Sequence, residues 1–312
     1  MTAAALPAFR VRRFDANPIV RPHMDARMGS NVQGPSLIRV PDWVKDPLGR
    51  YYLYFADHKG DYIRLAYADA LDGPWRTHEP GALQLADSRF PLTPPQAPDD
   101  ARAQLLEPHL PGGAPPGTPG IPDAFADATT PHIASPDVHV DHERRRIVMY
   151  YHGLAGFRVQ RSRVALSGDG LHFEAREELL GPSYFRVFRH GGFTYALAMP
   201  GILLRSADGL SGFERGPVLF EGRQRHTALL LRGNRLHVLW TRVGDNPERI
   251  WCSVIELSGD WLQWKAGEPV EVLRPERDWE GADLPALPSY RGAICEPVRQ
   301  IRDPDRKSTR LN

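Results

Sequence analysis

Apolar and polar positions along the chain trade places in short bursts, with a turn every few residues. Ser36-Leu37-Ile38-Arg39-Val40 reads as a strand, and a turn rich in Pro, Asp and Gly follows through Asp46-Pro47-Leu48-Gly49. Tyr51-Tyr52-Leu53-Tyr54-Phe55-Ala56 reads as a second strand, bulky on both faces, which predicts packing partners on either side. After the polar turn Asp57-His58-Lys59-Gly60-Asp61, residues Ile63 to Ala68 predict a third. Ile147 to Tyr151, Phe193 to Leu197 and Leu236 to Trp240 repeat the character of the second strand. Gly191-Gly192 and Gly233-Asn234 stand before two of these strands and suit tight hairpins. Helical periodicity is almost absent, so the pattern predicts an all-β fold.

The bursts also repeat at a longer range. Gly34-Pro35-Ser36-Leu37, Ser135-Pro136-Asp137-Val138, Gly181-Pro182-Ser183-Tyr184 and Arg225-His226-Thr227-Ala228 each open a unit. Each unit closes on an Asp-x-Leu turn before an aromatic residue: Asp69 with Trp75, Asp169 with Phe173, Asp208 with Phe213 and Asp260 with Trp264. Strand-bearing units of roughly forty residues are the mark of propeller blades. Arg299 to Pro304 begins a fifth unit that then breaks off. The prediction is a five-bladed β-propeller, last blade truncated, forming one domain over 1–304. Its blades fall at about 30–78, 131–176, 180–216 and 223–268, with an incomplete fifth from about 298. Residues 79–130 are a long insertion between the first two blades, and Pro111 to Pro122 is too rich in Pro and Gly for regular structure. Such a loop is either a lid over the channel or a decoration without function. Phe9 to Phe14 alternates as a strand that could close the ring. Residues 305–312 read as a foreign or disordered tail, and the chain as a fragment lacking most of its last blade.

Composition narrows the function classes. The chain has 312 residues, 41% of them hydrophobic and 9% aromatic, enough for one packed propeller core. A net charge of +1 lacks the basic surplus of a nucleic-acid binder. Two cysteines, Cys252 and Cys295, suggest no disulfide framework. Nothing approaches the roughly 20 apolar residues of a membrane helix, and the first residues do not form a secretory signal. The expectation is a cytoplasmic protein with reduced thiols and no cofactor, nucleic-acid or membrane partner. The oligomeric state stays open.

Blade geometry sorts the polar residues. The Asp-x-Leu turns share one end of the channel, where Asp bonds its own backbone. The other end gathers Asn31, Gln33, His58, Lys59, Asp61, Asp137, His152, Arg158, Gln160, Tyr184, His226, Arg242, Asp245, Glu280, Asp283, Arg302 and Asp303. Ligands favour such a concave mouth. No histidine spacing there points to a preformed metal site.

The openings Gly34 to Arg39, Ala134 to His139 and Arg302-Asp303-Pro304 resemble the five-bladed glycoside hydrolases, the superfamily of arabinanases, β-xylosidases, levansucrases and invertases (families 43, 32, 68, 62 and 117). The resemblance runs from about Asn17 to Pro304 and implies three acidic groups meeting in the channel. Glycoside hydrolysis needs one carboxylate as base or nucleophile and one carboxylic acid for the leaving oxygen. The chain departs from that pattern where Gly34 and Leu180 stand at positions of expected acids. Asp137 matches a second-blade Asp-Val pattern, and the resemblance implies His226 as a proton donor. The candidate catalytic set is therefore Asp137 and Glu280 as carboxylates with His226 as acid. His58, Asp61, His152, Arg186, Arg242 and Asp303 are candidate substrate contacts. Each has a plainer alternative: a turn cap for Asp137, a core hydrogen bond for His226, an arginine partner for Glu280 and packing for His58 and His152. The reading is a glycoside hydrolase acting on a small glycan, against a catalytically inactive sugar-binding propeller or a protein-interaction scaffold.

Overall fold

The computed structural model describes residues 9–106, 112–114, 118, 123–294 and 296–305. Four antiparallel sheets follow one another along it. Blade one is β1 (Gln33–Arg39), β2 (Tyr51–Ala56), β3 (Tyr62–Ala68) and β4 (Arg76–Gln84). Blade two is β5 (Ile133–Asp141), β6 (Arg146–Gly156), β7 (Val159–Ser167) and β8 (Glu174–Ala175), and β9 (Gly181–Pro182) also pairs with β7. Blade three is β10 (Arg186–His190), β11 (Phe193–Ala198), β12 (Ile202–Ser206) and β13 (Glu214–Val218). Blade four is β14 (Gln224–Arg232), β15 (Arg235–Arg242), β16 (Ile250–Glu256) and β17 (Val270–Leu273).

Packing explains the doubly apolar second strands. Tyr52 and Tyr54 of β2 share one buried cluster with Ile147, Met149 and Phe173 of blade two. Val148 and Tyr150, on the other face of β6, join Phe185, Val187 and Leu204 of blade three. Tyr195 and Leu197 of β11 meet Val238, Trp240, Trp261 and Trp264 of blade four. The free face of blade one is covered by Ile19, Val20, Met24 and Met28. Hydrogen bonds repeat across two of the seams: Tyr54 Oη donates to Gly170 O at 2.8 Å and Tyr150 Oη to Gly209 O at 2.7 Å. The receiving turns are held by Asp side chains, Asp169 accepting from Leu171 N and Asp208 from Leu210 N.

Two expectations are corrected. Among the described residues 298–305 hold no strand, so the structure has four blades rather than five. The segment spends its polar groups on its neighbours instead of a ladder. Ile301 N donates to Glu248 O at 3.0 Å, and Asp305 Oδ2 accepts from Leu37 N at 2.8 Å. Phe9 to Phe14 forms no strand either, and Arg13 there pairs with Glu280 and Glu276. The insertion holds two short helices, α1 (Ala101–Leu106) and α2 (Ala124–Thr129), the second capped by Asp123. Most of Pro111 to Pro122, and residues 306–312 of the expected tail, lie outside the described residues.

Candidate active site in the axial cavity

The inner strands begin in an unusual backbone. Gly34, Ser135, Tyr184 and His226 all have left-handed φ, at 63°, 51°, 66° and 45°, and Asp303 joins them at 50°. In β1, β5 and β14 the pairing register slips at this residue. A bulge of this kind turns a side chain out of the strand's alternation. For a bulky residue such as Tyr184 the left-handed region costs of order 1–3 kcal/mol, and strain of this kind gathers at functional sites.

The five positions are linked around one axis. A Cβ on Gly34 would lie 2.9 Å from Ser135 Cα, so this place admits no larger residue. Ser135 Oγ donates to Gln33 Oε1 at 3.2 Å. The Tyr184 hydroxyl is 3.1 Å from both Gln33 Oε1 and Asp303 Oδ1. The Tyr184 and His226 rings lie 5.4 Å apart, and His226 Nε2 is 3.8 Å from Asp303 Oδ1. Tyr184, His226 and Asp303, with Asn31, Gln33, His58, Asp127, His152, Arg225 and Arg302, line a cavity of about 560 Å³. That is the size of a small-molecule site.

Hydrogen bonding assigns the protons. Thr241 Oγ1 donates to Arg225 O at 3.2 Å, so His226 Nδ1–H donates to Thr241 Oγ1 at 3.2 Å. Nε2 then presents its lone pair toward Asp303. Burial, then the Arg225 and Arg302 cations, push His226 well below the ordinary histidine range, so it is neutral. Burial raises Asp303 despite Arg186, the Tyr184 hydroxyl and Arg302. The Tyr184 hydroxyl donates to Asp303 Oδ1 and so works against that rise, which burial alone drives. Behind His226, Glu248 is fully buried. It accepts from Arg225 Nε at 3.0 Å and Nη2 at 2.5 Å, and Arg302 Nε is 3.2 Å away. Burial alone would raise this carboxyl, but the two guanidiniums hold it below its ordinary value.

Asp127 of α2 supplies the other cavity carboxyl. Lys59 Nζ lies 3.0 Å and His58 Nε2 3.7 Å from Asp127 Oδ1, and Lys59 also donates to the Asp127 carbonyl at 2.8 Å. These partners outweigh burial and hold Asp127 far below the usual carboxylate range. The ring of His152 stands 5.1 Å from that of Tyr184, and burial holds His152 neutral.

Of the candidate catalytic and substrate-contact residues, His58, His152, His226 and Asp303 come together here, beside Asn31, Gln33, Gln160, Tyr184 and Arg302 of the expected mouth. The others lie elsewhere. Asp137 Oδ2 accepts from Val187 N at 2.7 Å and contacts His139 Nε2 at 2.7 Å, tying blade two to blade three. Glu280 accepts from Arg13 Nε at 2.6 Å and from Glu276 N at 2.8 Å. Asp61 is exposed, 3.6 Å from Arg27. Arg186 is buried behind Tyr184, donating to Thr227 O, Ser135 O and Pro136 O. Arg242 pairs with Asp245 at 2.8 Å and covers Trp251. Glu248, Arg225 and Asp127 were missed. The only signal for Glu248 was its place in the loop after β15, the counterpart of the loop carrying His58. Leu180 lies in the core between blades two and three.

Among the described residues, no group of three or more His, Cys, Asp or Glu is arranged to hold a metal ion, and no helix is long and apolar enough to cross a membrane. No family model matches the chain. It is 34% identical to the uncharacterized protein R118 of Acanthamoeba polyphaga mimivirus, over 94% of this chain and 83% of that protein. Among solved structures it resembles a provisionally assigned glycoside hydrolase from Parabacteroides distasonis. The TM-score is 0.54 at 15% identity, over 91% of this chain and 88% of that one, which shows a shared fold. An exo-β-1,3-galactanase from Phanerochaete chrysosporium gives a TM-score of 0.48 at 11% identity over 79% of this chain. The chain spans about half that enzyme, 52% of its length.

Proposed function

The chain belongs to one family with the mimivirus protein R118, and for this member we propose a glycoside hydrolase that takes a small glycan into the axial cavity. One observation carries the reading. Two carboxyls line a single cavity in contrasting surroundings: Asp127 is held down by Lys59 and His58, while burial pushes Asp303 up. Glycoside hydrolysis asks for such a pair. The fold shared with the Parabacteroides distasonis protein supports it.

In this reading Asp303, not His226, is the acid. Asp303 gives its proton to the glycosidic oxygen, the bond from that oxygen to the anomeric carbon breaks, and the leaving sugar departs as an alcohol. The ionised Asp127 meets the positive charge that develops on the ring. Water then adds to the anomeric carbon, and its proton returns to Asp303, with the His226 Nε2 lone pair as the neighbouring acceptor. The segment carrying Asp303 shares the left-handed backbone of the four blade openings at Gly34, Ser135, Tyr184 and His226.

A sugar-binding role without turnover is the second reading, favoured by Gly34 and Leu180, neither of which brings a carboxyl to the channel. A panel of aryl glycosides and oligosaccharides separates the two. Turnover that Asp303→Asn abolishes supports the hydrolase. Binding without turnover by the unaltered chain overturns it in favour of the second reading.

A further inference from the structure

We propose that the glycan this cavity accepts carries an anionic group, the carboxylate of a uronic acid or a sulfate ester, held by Arg225 and Arg302. The inference rests on the cavity being a glycan site. Both arginines line it, and both turn to the same buried carboxylate, Glu248. Two guanidiniums thus share one negative charge.

Their donors are only partly spent. Arg225 uses Nε and Nη2 on Glu248. Arg302 sets Nε against Glu248 and gives Nη2 to Gln300. No hydrogen bond from either Nη1 is made within the described residues, and a guanidinium has five N–H donors. The other cavity carboxyls do not make up the charge. Asp127 is matched by Lys59, and the charge of Asp303 is opposed by burial and faces Arg186 as well. Behind Tyr184, Arg186 adds a buried cation whose hydrogen bonds go to carbonyl oxygens.

The field in the cavity reflects this surplus. Burial and the neighbouring Arg225 push Arg302 down to about 10, and His226 feels Arg225, Arg302 and Arg186 as repelling cations. A neutral sugar offers only hydroxyls to these groups. A carboxylate or sulfate offers paired oxygens and the missing charge, the strongest partner for a planar guanidinium.

Calorimetric titration of the full chain tests this with glucose, galactose, glucuronate, galacturonate and the two hexose 6-sulfates, in 0.05 M and 0.5 M NaCl. A uronate or a 6-sulfate should bind at least tenfold tighter than its neutral hexose at low salt, and which of the two wins names the source of the anion. High salt and Arg302→Gln should each erase most of the advantage. Arg302→Lys, which keeps the charge, should restore part of it and controls for misfolding. Neutral hexoses binding as tightly as their acidic counterparts would overturn the inference and leave the glycan site standing. No binding by any sugar would overturn both.

Discussion

The seam between blades one and two and the sector between blades four and one do the same job with opposite chemistry. The first is dry: Tyr52, Tyr54, Ile147, Met149 and Phe173 bury their side chains together, and the Tyr54 hydroxyl finds the Gly170 carbonyl. The second has no blade to pack. Residues 296–305 cross it and hold on through Arg302 with Glu248, Asp303 with Tyr184 and Asp305 with the backbone of Leu37. Where the repeat is intact, burial of apolar area holds the ring. Where it lapses, polar and charged contacts hold it, and Arg302 and Asp303 among them line the cavity.

Substitutions in the two regions should part company. The largest effect is expected from Asp303→Asn, which keeps the shape and removes the acid. Turnover should fall by about 10²–10⁴-fold with little change in melting temperature. Glu248→Ala should cost about 3–5 kcal/mol of stability, because Arg225 and Arg302 lose their buried partner. Met149→Ala, in the dry seam, should cost about 2–5 kcal/mol through a cavity. Denaturant unfolding reads both. Turnover per folded molecule separates them: intact for Met149→Ala, reduced for Glu248→Ala. A Glu248→Ala protein as active and stable as the parent would erase the distinction between the regions.

A subtler difference lies in pH. Asp303 is raised, so turnover should fall as pH climbs through its elevated value and the donor loses its proton. His226 is lowered, so the acid limb, where its lone pair is lost, should lie below the ordinary histidine range. Asp303→Asn should remove the alkaline limb from whatever activity remains.

The dry region was legible because its physics is local. Tyr51 to Ala56 and Ile147 to Tyr151 show their double-sided burial in their own residues, and the Asp-x-Leu turns bond within themselves. The blade number was not. Arg302-Asp303-Pro304 has the form of a blade opening, yet a blade needs later strands to pair with, and its polar groups found other partners. At the site, position at one mouth gathered His58, His152, His226 and Asp303, while charge state stayed hidden. Glu280 looks like a channel acid until Arg13, 267 residues away, is seen to hold it. Asp137 looks the same until its carboxylate is found on Val187 N of the next blade. Glu248 gains its meaning from Arg302, a partner that only the folded chain supplies.

Two carboxyls in one cavity, Asp127 held down and Asp303 pushed up, carry the proposed chemistry. Titration of the aspartate side-chain carboxyl carbons by ¹³C NMR, assigned with Asp303→Asn and Asp127→Asn, measures this directly. Asp303 should keep its proton above the ordinary aspartate value of about 3.9, and Asp127 should stay ionised well below it. Both carboxyls titrating together near that value, or Asp303 ionising first, would contradict the account.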